Sequence, residues 1–282
     1  MGGVAVVTDS TADLPVDLVE SIGLRVVPLS VAFGEASFVA GITLSTSDFY
    51  ARMAATARMP TTSQPAPLWF EEAYADCVDD GFDAIVSVHC SSALSGTVSL
   101  ARDRARRVGI PVEVVDSKLV GGSLGLAALA AHRTALDGGD VAAVVAAAER
   151  VRRTSVSLLV VDDLAHLKRG GRLTGAQAAL GSAMRVKPVL HVTDEGRVEV
   201  LERARTTRRA LDRLVAIVSE TGAGGPVDVI VVHALAPALA AELWTRLDDA
   251  VTIRDRHEAL IGPVVGAHVG PGAVGVAVVP VD

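Results

Sequence analysis

The chain has 282 residues, half of them hydrophobic, 21% charged and 3% aromatic, with a formal net charge of −7. That length and apolar content supply a sizeable buried core, arranged as two domains or one large one. An acidic chain with few rings argues against nucleic acid as a general partner, since phosphates need a basic face and bases need aromatic stacking surfaces.

The N-terminal "VAVVTD" (4–9) is an apolar run ending in polar residues, and "LPVDLVESIG" (14–23) has helical spacing. No basic stretch precedes Asp9 and Asp13, so no signal peptide is expected and the protein is placed in the cytoplasm. "LRVVPLSVAF" (24–33) reads as the next strand. "MPTTSQPAP" (59–67) reads as a loop between two helices, its uncharged hydrogen-bonding side chains Thr61 to Gln64 fenced by Pro60, Pro65 and Pro67. The strand "FDAIVSVHC" (82–90) leads through "SSALSGT" (91–97) into the helical "GTVSLARDRARRVG" (96–109), and "VEVVDS" (112–117) precedes the helical "LGLAALAAHRTALDGG" (124–139). Strand followed by helix, repeated, predicts a parallel sheet with helices on its faces and ligand-binding loops at the strand carboxyl ends.

After the helical "DVAAVVAAAERVRRT" (140–154) the pattern changes, so domains are expected over 1–154 and 155–282. The second opens with "SVSLLVVDDLAHLKRGGRL" (155–173) and a hairpin, "KPVLHVTDEGRVEVLERA" (187–204), turning at Glu195-Gly196. A helix after Thr206, the strand "VDVIVVHA" (227–234), a helix after Pro237 and the strand "GAVGVAVVP" (272–280) complete it. The most apolar window, Leu119 to Leu129, falls short of the roughly 20 residues a spanning helix needs. Cys77 and Cys90 are expected to be reduced packing residues, and the histidines show no metal-ligand spacing, so no metal or cofactor is expected.

"GGSLG" (121–125) matches the nucleophile-elbow form, with Asp228 and His268 following in hydrolase order. An elbow needs its serine directly after a strand, whereas Ser123 falls in the first turns of a helix, where small residues allow close packing. A serine esterase built on Ser123, Asp228 and His268 is kept as an alternative. "GPGAVG" (270–275) matches a dinucleotide fingerprint but precedes a strand instead of a helix, so a tight turn is expected. The basic runs at 102–107 and 202–209 read first as solvated faces.

"SSALSGT" joins a strand end to a helix start, with Ser95 and Thr97 as candidate caps. Free N–H groups there, with a second hydroxyl-rich loop at 61–64, suit one carboxylate better than a polyphosphate, which would call for arginines and lysines in the loops. "VTDSTADLP", "TTSQP", "SSALSGT", "VVDSKLVGGSLGL", "LKRGGRL", "KPVLHV" and "IGPVVGAHVGPGAVGVAV" occur in this order along the whole chain. In this the sequence resembles the DegV family, which includes the fatty acid-binding (FakB-like) subunits of bacterial fatty acid kinase.

The resemblance implies a two-domain α/β fold: a parallel-sheet N-terminal domain and a smaller α/β C-terminal domain, with a lipid tunnel near the interface. It implies one long-chain fatty acid as ligand, its carboxylate held by Thr62, Ser63, Ser95, Gly96, Arg172 and His268. It also implies that the chain performs no catalysis but presents the acid to a separate ATP-dependent fatty acid kinase, placing it in lipid transport and phospholipid metabolism. Arg203, Arg205, Arg208 and Arg209 are candidates for docking that kinase or an anionic membrane surface. A third reading is a regulatory or interaction protein of the same fold.

Overall fold

A computed structural model describes residues 2–56, 58–174 and 186–281. In chain order the first half comprises β1 (Val4–Asp9), a 3-10 turn (Ser10–Ala12), α1 (Val16–Ile22), β2 (Arg25–Val27), β3 (Ser30–Phe33), β4 (Ala36–Val39), α2 (Thr46–Ala55), β5 (Thr61–Ser63) and α3 (Pro67–Asp79). It continues with β6 (Ala84–His89), α4 (Thr97–Ala105), β7 (Val112–Asp116), α5 (Gly122–Leu136) and α6 (Val141–Thr154). The second half comprises β8 (Val156–Val160), α7 (Ala165–Arg169), β9 (Lys187–Val192), β10 (Val198–Ala204), α8 (Thr207–Thr221), β11 (Val227–His233), α9 (Pro237–Ala250), β12 (Ile253–Leu260), α10 (Pro263–Val269) and β13 (Val274–Pro280).

The fold is α/β. A parallel sheet of order β2-β1-β6-β7 draws on the first half, and a six-stranded sheet of order β10-β9-β8-β13-β11-β12 on the second. The second sheet is mixed: β11 and β12 run parallel while its other neighbours run antiparallel. The expected hairpin forms as β9 and β10, with Gly196 at φ 76 in the turn. We retain the division into 1–154 and 155–282 as a proposal.

Two stretches depart from expectation. Residues 24–33 form two strands, not one: β2 joins the parallel sheet, and β3 joins a small antiparallel sheet of order β4-β3-β5. Pro28 lies at the break, where it has no N–H to donate to a ladder. The loop expected at 61–64 contains β5, an edge strand that pairs Thr62 with Val31. The charged strand β12 was also not anticipated; its alternating Ile253, Asp255 and His257 are half-buried while Arg254, Arg256 and Glu258 face water at a sheet edge.

Between the two larger sheets lies α5, apolar on all sides and buried over most of its length. Its small residues set the approach: a Cβ on Gly122 would sit 3.2 Å from Ile230 and Ala277, and one on Gly125 would sit 2.8 Å from the Ala12 carbonyl. The largest apolar core therefore joins Val86 and Val88 of β6 to Ile230 and Val232 of β11 through Leu124 and Leu126.

Candidate functional site

The carboxyl end of β6 runs into the 91–97 loop, whose backbone is fixed by Ser91 N–H donating to the Leu119 carbonyl (2.9 Å) and Ser95 N–H to the Ser91 carbonyl (3.1 Å). The Ser95 hydroxyl accepts from Thr97 N–H (3.3 Å) and pairs with the Thr97 hydroxyl (2.8 Å), so it does part of the capping expected of it. The N-cap of α4 is Gly96, which has no side chain to cap with. A Cβ there would collide with Oε1 of Gln64, so the glycine admits that amide against the start of the helix.

Across from this loop, β5 presents Thr62, whose hydroxyl lies 2.8 Å from Nε2 of His268 in α10. The two residues are 206 positions apart, brought together because α10 packs on β5 and α2. Gly266 lets that happen: a Cβ on it would meet Tyr50 at 2.8 Å and Phe49 at 2.9 Å. Tyr50 also donates to the Ile261 carbonyl (3.0 Å), anchoring the approach to the helix.

Arg172 follows α7. Its Nε donates to the Leu94 carbonyl (3.1 Å) and its Nη1 to the Gly170 carbonyl (2.6 Å), tying the 91–97 loop to α7. A guanidinium carries five N–H donors, so this arginine retains others for a ligand. Gly170 also clears space for the His268 ring, because a Cβ there would collide with Nδ1. The expected tight turn at 270–273 is present: Gly270 (φ 74) and Gly272 (φ 84) adopt left-handed backbone against His166 and Asp162.

Burial lowers the His268 pKa to about 4, assisted by the charge of Arg172 and by His166. The imidazole is therefore neutral at pH 7, and its buried Nδ1 has no hydrogen-bond partner among the described residues. The resemblance counts Arg172 and His268 among the residues that hold the carboxylate; of the two, Arg172 carries the charge and His268 is a neutral ring bonded to Thr62.

Thr62, Ser63, Ser95, Arg172 and His268 line one cavity of about 120 Å³. A single water needs roughly 10–15 Å³ on the same measure, so the space is of ligand size. Gly96 stands behind the wall, against Gln64, which does line it. The same wall has many aliphatic residues, among them Leu158, Leu190, Val192, Val232, Val264 and Val276 from the six-stranded sheet and α10, with Ser157 and His191 between them. Sequence reading passed over Thr11, Asp13 and Cys90 as wall residues, because nothing in a linear pattern marks a polar strand-end residue as facing inward. The Cys90 thiol is pushed well above its ordinary pKa by burial and by the neighbouring Asp9 charge, so it is a neutral packing group.

The esterase constellation does not assemble. Ser123 is fully buried and donates to the Val120 carbonyl (3.0 Å), Asp228 is engaged by Arg133 (3.2 Å) and Arg254, and His268 bonds Thr62. A different chain of these residue types does form: Asp9 Oδ2 to His89 Nδ1 (3.0 Å), His89 Nε2 to the Ser87 hydroxyl (2.6 Å), and Ser87 to the Tyr74 hydroxyl (2.9 Å). All four are buried, so no substrate reaches them. Arg203, Arg205, Arg208 and Arg209 are exposed along the end of β10 and the start of α8, apart from the cavity wall.

Comparison with known proteins adds to this geometry. The family model described as "Uncharacterised protein, DegV family" matches residues 3–281. A DegV domain-containing protein of Streptomyces coelicolor is 44% identical over 276 residues, covering 98% of each chain. Among solved structures, a fatty acid-binding DegV family protein from Thermus thermophilus is 33% identical with a TM-score of 0.92, over 99% of this chain and 100% of its own. DegV of Bacillus subtilis, described as a fatty acid binding protein, is 33% identical with a TM-score of 0.86, over 98% and 99%.

Proposed function

The chain belongs to the DegV family, and from that premise we propose that its cavity binds one long-chain fatty acid, with the carboxylate among Thr62, Ser63, Ser95, Arg172 and His268. The observation that carries this is that one cavity is lined both by Thr62, Ser63, Ser95, Arg172 and His268 and by many aliphatic side chains. The polar residues offer hydroxyls, a neutral imidazole and one guanidinium, enough for a monoanion and too little charge for a polyphosphate. The aliphatic lining supplies affinity, because each methylene withdrawn from water contributes about 0.8 kcal/mol. Gly96 acts behind the site, admitting Gln64 against the start of α4. The full-length likeness to fatty acid-binding relatives supports the same reading.

The test is native mass spectrometry of the purified protein, then solvent extraction of whatever it releases. A stoichiometric fatty acid, lost from the Thr62→Ala, Ser95→Ala double variant, is the expected outcome. Protein that is empty and refuses added fatty acids overturns the reading and returns the fold to a regulatory or interaction role.

The same proposal makes the chain a cytoplasmic carrier whose bound carboxylate is phosphorylated to an acyl phosphate by a separate ATP-dependent kinase. A chain without a P-loop or kinase signature fits a division of labour in which a partner supplies that chemistry. Among the described residues no helix is long and apolar enough to cross a membrane. Arg203, Arg205, Arg208 and Arg209 would steer the partner or an anionic lipid surface by charge. Reversing Arg205 and Arg208 to glutamate should slow acyl phosphate formation by a purified bacterial fatty acid kinase, or slow exchange with anionic liposomes. Unchanged rates in both assays remove these residues from the mechanism.

A further inference from the structure

Asp13 follows the 3-10 turn after β1 and is 7% exposed. Its Oδ1 accepts from Gly262 N–H (2.9 Å), the N-cap of α10. Its Oδ2 is buried, has no hydrogen-bond partner among the described residues, and lies toward Gly121, which lines the same cavity as Asp13 itself. Thr11, Gly121 and Ile261 line the same cavity, and the Thr11 hydroxyl is already given to Asp9. Burial pushes the Asp13 carboxyl up to about 8; the Gly262 N–H opposes this and the Asp9 charge adds to it. At neutral pH the group is thus an acid with one O–H to donate, and a buried donor left unpaired costs about 1–3 kcal/mol.

Position turns this into a statement about the ligand. Gly262 and His268 lie six helical steps apart, roughly 9 Å at helical rise, so Asp13 and His268 meet α10 at opposite ends. We propose that Asp13 reads a second oxygen on the ligand, a hydroxyl or keto group on the acyl chain, so that the cavity prefers oxygenated fatty acids to plain ones of equal length. This rests on the fatty acid reading above and adds a specificity-determining residue and a substrate class to it. The Asp13 O–H donates to the ligand oxygen, while Oδ1 keeps its bond to Gly262. A plain acyl chain passing this point leaves the donor unpaired.

The experiment measures dissociation constants for stearic acid and for stearic acids carrying a hydroxyl at successive carbons. One position should bind roughly fivefold tighter than stearic acid, the worth of one net hydrogen bond. That ratio should survive in Asp13→Asn, which keeps a donor, and collapse to unity in Asp13→Gly, which has none. Both replacements tolerate the left-handed backbone of φ 46 at this position, and melting curves check the fold of each. Stearic acid bound with no preference at any position overturns this inference alone. Failure to bind any member of the series overturns the fatty acid reading and this inference with it.

Discussion

Two histidines placed by the same fold behave differently. His89 is fully buried and has both ring nitrogens bonded, to Asp9 and to Ser87. His268 has one nitrogen bonded to Thr62, the other buried and unpaired among the described residues, and faces a cavity. A polar network that satisfies itself has nothing left to offer a ligand and serves the fold. One left incomplete beside an empty volume is a place where a ligand can complete it. Asp9 and Asp13, four residues apart on either side of the 3-10 turn, repeat the contrast. Burial raises the Asp9 carboxyl, but bonds from His89, Thr11 and the Cys90 N–H outweigh it and hold the pKa below its ordinary value. Asp13 has one such bond and rises to about 8.

The largest expected effect breaks the satisfied side. Replacing Asp9 by alanine strips His89, Thr11 and Cys90 N–H of their acceptor in a dry core, and should cost about 3–5 kcal/mol in urea unfolding. A loss under 1 kcal/mol would show that this network does not hold the parallel sheet. Next comes Arg172→Met, which removes the cation of the site and its bond to Leu94. Charge-assisted hydrogen bonds contribute about 1.5–3 kcal/mol, so fatty acid affinity should fall roughly tenfold to a hundredfold. Equal affinity in titration calorimetry would move the carboxylate elsewhere.

Thr62→Val keeps the shape and loses the hydroxyl. It should weaken binding by a smaller factor, about tenfold or less, with stability changed by about 1 kcal/mol, since Thr62 is only half-buried. A large stability loss without a binding loss would reclassify the Thr62–His268 pair as structural.

The last tests are in pH dependence, where the two cavity groups have opposite signs. The folded pKa of Asp13 lies above its unfolded value of 3.8, so the stability linked to it is full below that value and lost as pH rises toward about 8. Asp13→Asn should flatten that decline in melts from pH 4 to 9. The His268 pKa is depressed to about 4 from 6.5, so its contribution is present above 6.5 and lost as pH falls through that window. His268→Gln should flatten the acid side, and the ring proton of apo protein should titrate near 4 by NMR. Titration near 6.5 would mean that the ring meets water.

Much of the fold was legible because the first half alternates strand and helix at two clear periods, and the β9–β10 hairpin has Gly196 where a left-handed turn residue is required. The positions that meet at the cavity were legible as motifs: hydroxyls at 62, 63 and 95, arginine at 172, histidine at 268. Their state was not. Local pattern determined which segments are strands and helices, because side-chain periodicity and turn residues act within a few positions. Tertiary structure alone decided that Pro28 divides two sheets, that Ser123 is sealed inside, that His268 is neutral and that Asp13 faces the cavity with a free oxygen. Each of those depends on desolvation and on partners far along the chain, such as Gly262 for Asp13 and Thr62 for His268, and no local pattern encodes the distance between them.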